Sequence, residues 1–513
     1  MDDYSDYRGI VSGQRHRSHE DVTLNAQRIA GGLQRSGVTV GDCVCVLMRN
    51  DIAFLEASYG AAQLGAYVVP VNSHLGPDEV AYILNDSGAA VLIGHSDLLH
   101  RLAEVVQPSL KVISVPTPAE IVEAYRLDPL LLGAPSFAID FDDWLHDQAP
   151  LELAAERAPQ SMVYTSGTTG APKGVRRMAP TPEQAAALAV SRANFGVKPG
   201  VRMLLPGPLY HSAPNSFALS AGRHGGVVVM MPRFDAEEML KIIASYRIDT
   251  IFMVPTMFIR LLGLPEDVRK RYDVSSLKTV VHAAAPCPVS VKNEMMAWWG
   301  PVIYEFYGST EAGAVTLSGP DDWNARPGTV GKALTGVHIR ILDEGGQILP
   351  AGHVGEIYTK VDGAPDFTYH NKPEKRLQAD RDGFVTSGDV GYIDNDGYLF
   401  ISDRKSDMVI SGGVNIYPAE IEAVLQDLPG VRDCAVFGVP DEEFGESLMA
   451  MVEPEAGVAL DTGALRKQLR GLLAGYKVPK VVEIRHDLPR EDSGKIFKRK
   501  LRDPYWAAAN RSI

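Results

Sequence analysis

Between Tyr164 and Gly174 the chain reads Tyr-Thr-Ser-Gly-Thr-Thr-Gly-Ala-Pro-Lys-Gly, a run rich in groups that hold phosphate. Gly167, Gly170 and Gly174 let the backbone curl closely round an anion. The hydroxyls of Thr165, Ser166, Thr168 and Thr169 can donate hydrogen bonds, and Lys173 adds a positive charge. The apolar pair Met162 and Val163 precedes the run, so the loop is expected to leave a strand end. It is not the Walker pattern, because Lys173 is followed by Gly174 where that pattern has Ser or Thr. By composition alone the same residues also read as an exposed turn. Further along, Asp389 follows Gly388. In isolation Gly388-Asp389 and Asp394-Asn395-Asp396-Gly397 both read as turns, the second as a hairpin connection.

Such loops need elements to hold them. Ser18 and Asp21 have capping-box spacing, with Asp in place of Glu, and Val22, Ala26, Ile29, Ala30 and Leu33 follow at helical intervals. Short apolar runs at 44–47, 67–71, 89–93, 111–115, 201–205, 226–231 and 250–254 read as strands, with a helix over 52–64. This alternation predicts α/β layers with largely parallel strands. Residues 116–159, broken by prolines, read as surface decoration. After about residue 325 glycines and short β-like runs (337–342, 355–359, 398–401) predict a β-rich subdomain over 325–403. A separate unit is expected from Arg404, with a helix over 419–428, a strand over 431–439, a helix over 462–474 and a basic tail at 495–502. The expected division is therefore a large domain, 1–403, and a small α+β domain, 404–513.

Composition narrows the function. The chain has 513 residues, too many for one core. Its 50 basic and 64 acidic residues leave a net charge of −14, which argues against a dedicated nucleic-acid binder but not against a nucleotide substrate. Cys43, Cys45, Cys287 and Cys434 are scattered and have no metal-ligand spacing, so they read as buried thiols in a reducing compartment. The first ten residues lack the basic region and apolar core of a signal peptide, and no run of about 18 apolar residues suggests a membrane span. A cytoplasmic location is expected.

The segment 164–174 closely resembles the signature phosphate loop of the adenylate-forming (AMP-binding) superfamily of acyl-CoA synthetases, beetle luciferases and peptide-synthetase adenylation domains. Five further segments resemble that family's motifs in the same order. Tyr307-Gly308-Ser309-Thr310-Glu311 looks like its adenine and magnesium motif, and Ser387-Gly388-Asp389 like its ribose segment. Residues 402–407 resemble its interdomain hinge, Ser411-Gly412-Gly413 and the residues to Glu420 its post-hinge loop, and Ser493-Gly494-Lys495 its terminal catalytic lysine motif. The resemblance implies the family's fold, layered α/β subdomains and a β-rich subdomain with a small mobile lid. It gives Thr165, Ser166, Thr168, Thr169 and Lys173 the β- and γ-phosphates, Thr310 the α-phosphate, Glu311 the Mg²⁺, Tyr307 the adenine, and Asp389 and Arg404 the ribose. Lys495 would bridge the incoming carboxylate and the α-phosphate. His211 matches the histidine near that carboxylate, although Ala213-Pro214-Asn215 stands where many relatives have glycines. His282-Ala283-Ala284-Ala285-Pro286 is similar to the adenine-side strand, with Ala283 where glycine is usual.

The small residues at Ser411-Gly412-Gly413 resemble those of bacterial fatty-acyl and aryl CoA ligases and leave room for a pantetheine arm. The expected reaction is therefore ATP-dependent activation of a carboxylic acid followed by transfer to coenzyme A. Loading of a separate carrier protein and a non-catalytic role remain alternatives, and the resemblance leaves a homodimer open. Phe217, Met253, Met257, Trp298, Trp299 and Phe306 lie in segments expected to form the acyl pocket, with no obvious Lys or Arg for a second carboxylate. A bulky hydrophobic acid, fatty or alicyclic, is expected.

Overall fold

The computed structural model describes residues 4–165, 172–405, 407–411, 414–490 and 496–509. The chain packs as two compact units, and the sequence passes between them more than once. The first comprises Met1–Met253, Gly263–His282 and Asp362–Asp380, the second Val254–Leu262, Ala283–Val361 and Arg381–Ile513.

Two mainly parallel sheets organise the first unit. Five strands run in the order Tyr67–Pro70, Cys43–Leu47, Ala89–His95, Lys111–Val115 and Ile139–Asp140, all parallel. Every residue of Cys43–Leu47 is buried, as expected of a parallel strand covered on both faces. Burial pushes the Cys43 thiol up to about 11 and Cys45 to about 12, so neither is a thiolate nucleophile. In the other sheet Thr279–His282, Thr250–Met253, Arg202–Leu205, Val227–Met230 and Gly9–Ser12 lie in that order, all parallel. The helices that follow the strands begin where the sequence marks them. Ser18 caps His19–Arg35 by accepting from Asp21 N, and the nearly all-apolar helix Ile52–Gln63 starts after Asp51.

Three expectations need correction. Residues 116–159 are more than decoration: Ile139–Asp140 is an edge strand, and Phe141, Trp144 and Leu145 of the next helix are buried. Cys287 is half-buried, unlike the other three cysteines. The tail from Lys498 is a helix, Lys498–Ala508, and its first lysine pairs at 2.8 Å with Glu422.

In the second unit Val337–Leu342, Gly355–Val361, Phe384–Ile393 and Leu399–Arg404 form an antiparallel sheet. The last two strands are joined by the turn at Asp394–Gly397, where Gly397 has φ +85° and its N–H donates to Asp394 O. Residues beyond Val409 build another sheet, whose long hairpin Val431–Asp441 and Gly445–Pro454 carries Val481–Ile484 alongside in parallel. Helices Pro418–Gln426 and Thr462–Leu472 cover it, burying Ile421, Leu425, Leu465 and Leu469.

Candidate active site

In the first unit two strands flank the hydroxyl-rich segment. Strands Val163–Thr165 and Lys173–Arg177 pair antiparallel, with Thr165 opposite Lys173 and Tyr164 opposite Gly174. Directly opposed residues share a sheet face, so Thr165 and Lys173 stand together at the loop's mouth. Ser166, Gly167, Thr168, Thr169 and Gly170 lie outside the described residues. The hairpin's base is fixed in several ways. A Cβ at Gly174 would lie 3.0 Å from the Tyr164 ring and push it by a few tenths of an ångström, so close strand packing favours glycine there. Tyr164 Oη donates to Asp86 at 2.7 Å, and burial together with that carboxylate raises the phenol's pKa and keeps it neutral. A third strand, Phe367–Tyr369, pairs with Lys173–Arg177. Lys173 Nζ lies 5.3 Å from the centre of the Tyr369 ring, a cation–π contact that holds the ammonium without neutralising it.

His211, half-buried, is the N-cap of helix Ser212–Ala221, and its ring lies 4.6 Å from that of Tyr210. Of the residues expected to form the acyl pocket, Phe217 stacks on Phe252 at 5.0 Å and meets Phe195 edge-on at 6.1 Å. Phe217, Met253, Met257 and Trp299 are buried, whereas Trp298 and Phe306 are half-buried.

In the second unit the sequence Tyr307–Glu311 forms one arm and the tip of a hairpin. Glu305 and Ser318 exchange backbone hydrogen bonds at its base, at 2.9 and 2.7 Å, and Gly308 pairs with Ala314 nearer the tip. A Cβ at Gly308 would lie 2.1 Å from Gly313 O, so the tight tip carrying Thr310 and Glu311 needs glycine. Tyr307 Oη donates to Asp389 Oδ2 at 2.7 Å, and Ser387 Oγ donates to the same oxygen at 2.9 Å. Arg404 Nε sits 3.2 Å from Asp389 Oδ1, as expected from their register as cross-strand partners. Asp389 is 6% exposed, while Arg404 reaches into solvent. Burial, and then the neighbouring Asp389 charge, raise the Tyr307 phenol's pKa well above its ordinary value, so it remains a donor. Gly388 has φ +81°. It lies within strand Phe384–Ile393, so Gly388-Asp389 is a kink in a strand, not a free turn. The pattern thus joins a ring, a hydroxyl-holding carboxylate and a cation.

On the adenine-side segment Ala283 is buried, and Ala284 is exposed with φ +75°. The sequence departs from glycine at 283, yet the left-handed backbone that glycine would ease falls at 284. Ser411 ends strand Val409–Ser411, which pairs with Val414–Ile416. Gly412, Gly413 and Lys495 lie outside the described residues. On either side of the lysine motif, Arg490 and Ile496 form an antiparallel bridge, and Arg490 pairs with Asp433 at 2.6 Å and Glu453 at 2.7 Å.

Sequence reasoning missed some supporting residues. Lys292 and Glu305 form a buried pair at 2.7 Å, with Lys292 Nζ 4.0 Å from the Trp323 ring centre, under the hairpin that carries Tyr307. Asn50 is buried among the polar residues 49–51 that follow strand Cys43–Leu47. Polar residues at the carboxyl end of a parallel strand mark where ligand-handling groups gather, and that signal was present in the sequence.

The sequence matches the AMP-binding enzyme family over residues 1–364 and the AMP-binding enzyme C-terminal domain over 420–495. It is 34% identical over 493 residues to a feruloyl-CoA synthase of Amycolatopsis, covering 94% of this chain and 93% of that protein. With the long-chain-fatty-acid–CoA ligase FadD13 of Mycobacterium tuberculosis identity is 32%, over 96% and 93% of the two chains. A fatty acid–[acyl-carrier-protein] ligase of Streptomyces coeruleorubidus is 31% identical, over 98% and 94%. Among solved structures, the anthranilate CoA ligase AuaEII with anthranoyl-AMP superposes with a TM-score of 0.85 at 26% identity, covering 99% and 95%. The amide bond synthetase McbA of Marinactinospora thermotolerans superposes at 0.82 with 26% identity, covering 97% of each chain. The chain belongs to the AMP-binding enzyme family, the adenylate-forming, ATP-dependent ligases that include the acyl-CoA ligases.

Proposed function

We propose that this protein is an acyl-CoA synthetase that converts a hydrophobic carboxylic acid to its acyl-AMP and then to its CoA thioester. The observation carrying the nucleotide half is the Tyr307–Asp389–Arg404 cluster, with Tyr307 Oη 2.7 Å and Arg404 Nε 3.2 Å from one buried carboxylate. Its ring and acceptor oxygens suit an adenine and a ribose diol. In the first half-reaction a substrate carboxylate oxygen attacks the α-phosphorus and the bond to pyrophosphate breaks. Thr165 and Lys173 hold phosphate oxygens, together with Ser166, Thr168 and Thr169, while Thr310 contacts the α-phosphate. His211 meets the acid's carboxylate, and Lys495 neutralises charge as the two anions approach. Glu311, half-buried at a hairpin tip, offers one hard carboxylate oxygen. That fits a Mg²⁺ arriving on the nucleotide's phosphates, an ion commonly bound through one or two carboxylates plus substrate. When bound it would offset phosphate charge. In the second half-reaction the CoA thiol loses its proton, its sulfur attacks the acyl carbonyl, and AMP leaves.

Two names among the relatives, feruloyl-CoA synthase and long-chain-fatty-acid–CoA ligase, support CoA as acceptor and a bulky acid. We place a pivot at 404–407, beyond which a lid, 404–513, reorients between half-reactions. What supports it is that residues past Val409 bury apolar cores drawn wholly from themselves. The deciding experiment is AMP release from a panel of acids, with CoA, a carrier protein or an amine as acceptor. CoA-dependent turnover of fatty or aryl acids is expected. Turnover only with a carrier or an amine would reject CoA.

A further inference from the structure

Asn50 lies beside the loop that leads to His211, between two neighbours that are each tied down by ion pairs. On one side Arg49 pairs with Asp97 at 2.9 Å and lies over the Tyr125 ring at 4.5 Å. On the other, Asp51 is bonded to His95 at 3.0 Å and Arg15 at 2.6 Å. Between these two anchors the Asn50 carboxamide, 4% exposed, turns to the loop after strand Arg202–Leu205. Its Nδ2 donates to Gly207 O at 2.9 Å and to Met231 O at 3.0 Å, and its Oδ1 accepts from Leu209 N at 2.8 Å. A second carboxamide completes the grip. Asn215 Nδ2 donates to Leu209 O at 3.0 Å, and its Oδ1 accepts from Ser161 Oγ at 2.7 Å. Both backbone polar atoms of Leu209, two residues before His211, are thus held by buried asparagines. On the far side, Asn215 N donates to His211 O at 3.0 Å in the first turn of helix Ser212–Ala221. Asn215 closes the segment Ala213-Pro214-Asn215, and this grip is the work that residue does here.

We propose that Asn50 and Asn215 are positioning residues that set His211 against the acid's carboxylate, acting through the N–H and the C=O of Leu209. This rests on the reading of His211 given above. Buried carboxamides with every polar atom bonded fix one geometry, because any other leaves donors and acceptors without partners. Misplacing a reacting group by about an ångström can cost on the order of 10²-fold in rate, so the effect should appear in the acid's kinetics and not in the nucleotide's.

The test is acid-dependent pyrophosphate exchange on the full chain, with Asn50→Ala, Asn215→Ala and His211→Ala singly and each asparagine variant combined with His211→Ala. Each asparagine variant is expected to lower kcat/KM for the acid roughly tenfold or more while KM for ATP stays within about twofold. In the double variants the asparagine change should add less than about twofold to the His211→Ala loss, since residues acting through one another are not additive. Additive losses, or a parallel rise in KM for ATP, would overturn the proposal. If His211→Ala alone has no effect, the reading of His211 fails and the proposal with it. If His211→Ala is impaired and the asparagine variants are not, only the proposal fails. Should Asn50→Ala not fold, Asn215→Ala decides by itself, because it removes the bond to the other backbone polar atom of the same residue.

Discussion

Lys292→Met should make the protein's stability fall as pH rises. Lys292 is wholly buried, Glu305 nearly so, and they meet at 2.7 Å. Removing the ammonium leaves a buried carboxylate without its counter-charge, a change that costs about 3–5 kcal/mol if the group stays ionised. Glu305 can avoid part of this by taking up a proton. Burial already raises its pKa above the ordinary carboxylate value, against the lowering effect of Lys292, and the variant removes that opposition. The unfolded chain releases this proton near pH 4.3, whereas the folded variant keeps it to a higher pH. The folded state then binds more protons, so stability declines with rising pH, by up to about 1.4 kcal/mol per unit. Between pH 5 and 7 the variant should lose up to about 2.7 kcal/mol through this group, more than wild type loses, read from urea midpoints at each pH. Lys292→Met with Glu305→Met should recover to within about 1 kcal/mol at both pH values, because an apolar pair of similar volume needs no counter-charge. Glu305 is also bonded through its backbone to Ser318 at the base of the hairpin that carries Tyr307, so KM for ATP should rise in the single variant. A Lys292→Met difference from wild type that is the same at pH 5 and pH 7 would refute the reasoning.

Other changes test the proposed chemistry directly. Glu311→Gln should lower adenylation roughly 10²-fold, with part of the loss recovered at high Mg²⁺; wild-type pyrophosphate exchange at limiting Mg²⁺ would remove Glu311 from the metal. Lys495→Ala should lose adenylation by roughly 10²-fold or more yet convert prepared acyl-AMP and CoA at near wild-type rate, so equal loss in both steps would deny it that role. Ser406→Pro fixes φ at the proposed pivot and should impair one half-reaction more than the other; equal loss with the fold intact counts against a two-state hinge. Tyr307→Phe keeps the ring but removes the donor to Asp389, a charged hydrogen bond worth about 1.5–3 kcal/mol. KM for ATP should rise roughly tenfold, and an unchanged KM would show that Asp389 needs no help from Tyr307.

Much of the architecture was legible because it is written in local periodicity. Strand Lys111–Val115 falls where the apolar run predicts it, and the helix after Ser18 begins at the expected cap. The Asp394–Gly397 turn was legible for a different reason, since glycine and short polar side chains at that spacing admit few backbone paths. What was hidden depends on distant partners. Gly9–Ser12 is only four residues long and is a strand because Val227–Met230 pairs with it. Lys292 and Glu305 are 13 residues apart on a helix and a strand, and nothing local says that the two charges meet. Asn50 reads as one of several polar residues until its carboxamide is seen to reach residues more than 150 positions away.

The Asp389 carboxylate connects the nucleotide reading to the pivot reading. An ionised carboxylate offers about four lone-pair sites. Tyr307 and Ser387 occupy both sites on Oδ2, and Arg404 takes one on Oδ1. A ribose diol brings two donors and needs two acceptors, so one of these three partners must give way. Tyr307 is fixed by its hairpin, with its N–H directed to Thr316 Oγ1 and its carbonyl accepting from Val315 and Thr316, and Ser387 lies on the same strand as Asp389. Arg404 is the partner most easily released: its side chain is 48% exposed and its contact is the longest, at 3.2 Å. It is also two residues from Ser406. Asp403, just before it, accepts from Arg404 N at 2.7 Å and from Ala419 N at 2.9 Å, which ties the end of the strand to helix Pro418–Gln426. Binding the ribose therefore competes with a contact made at the proposed pivot. On the proposed roles of Asp389 and of the pivot, emptying or filling the nucleotide site would change the restraint on Arg404 and so couple the ligand to the proposed lid through one carboxylate.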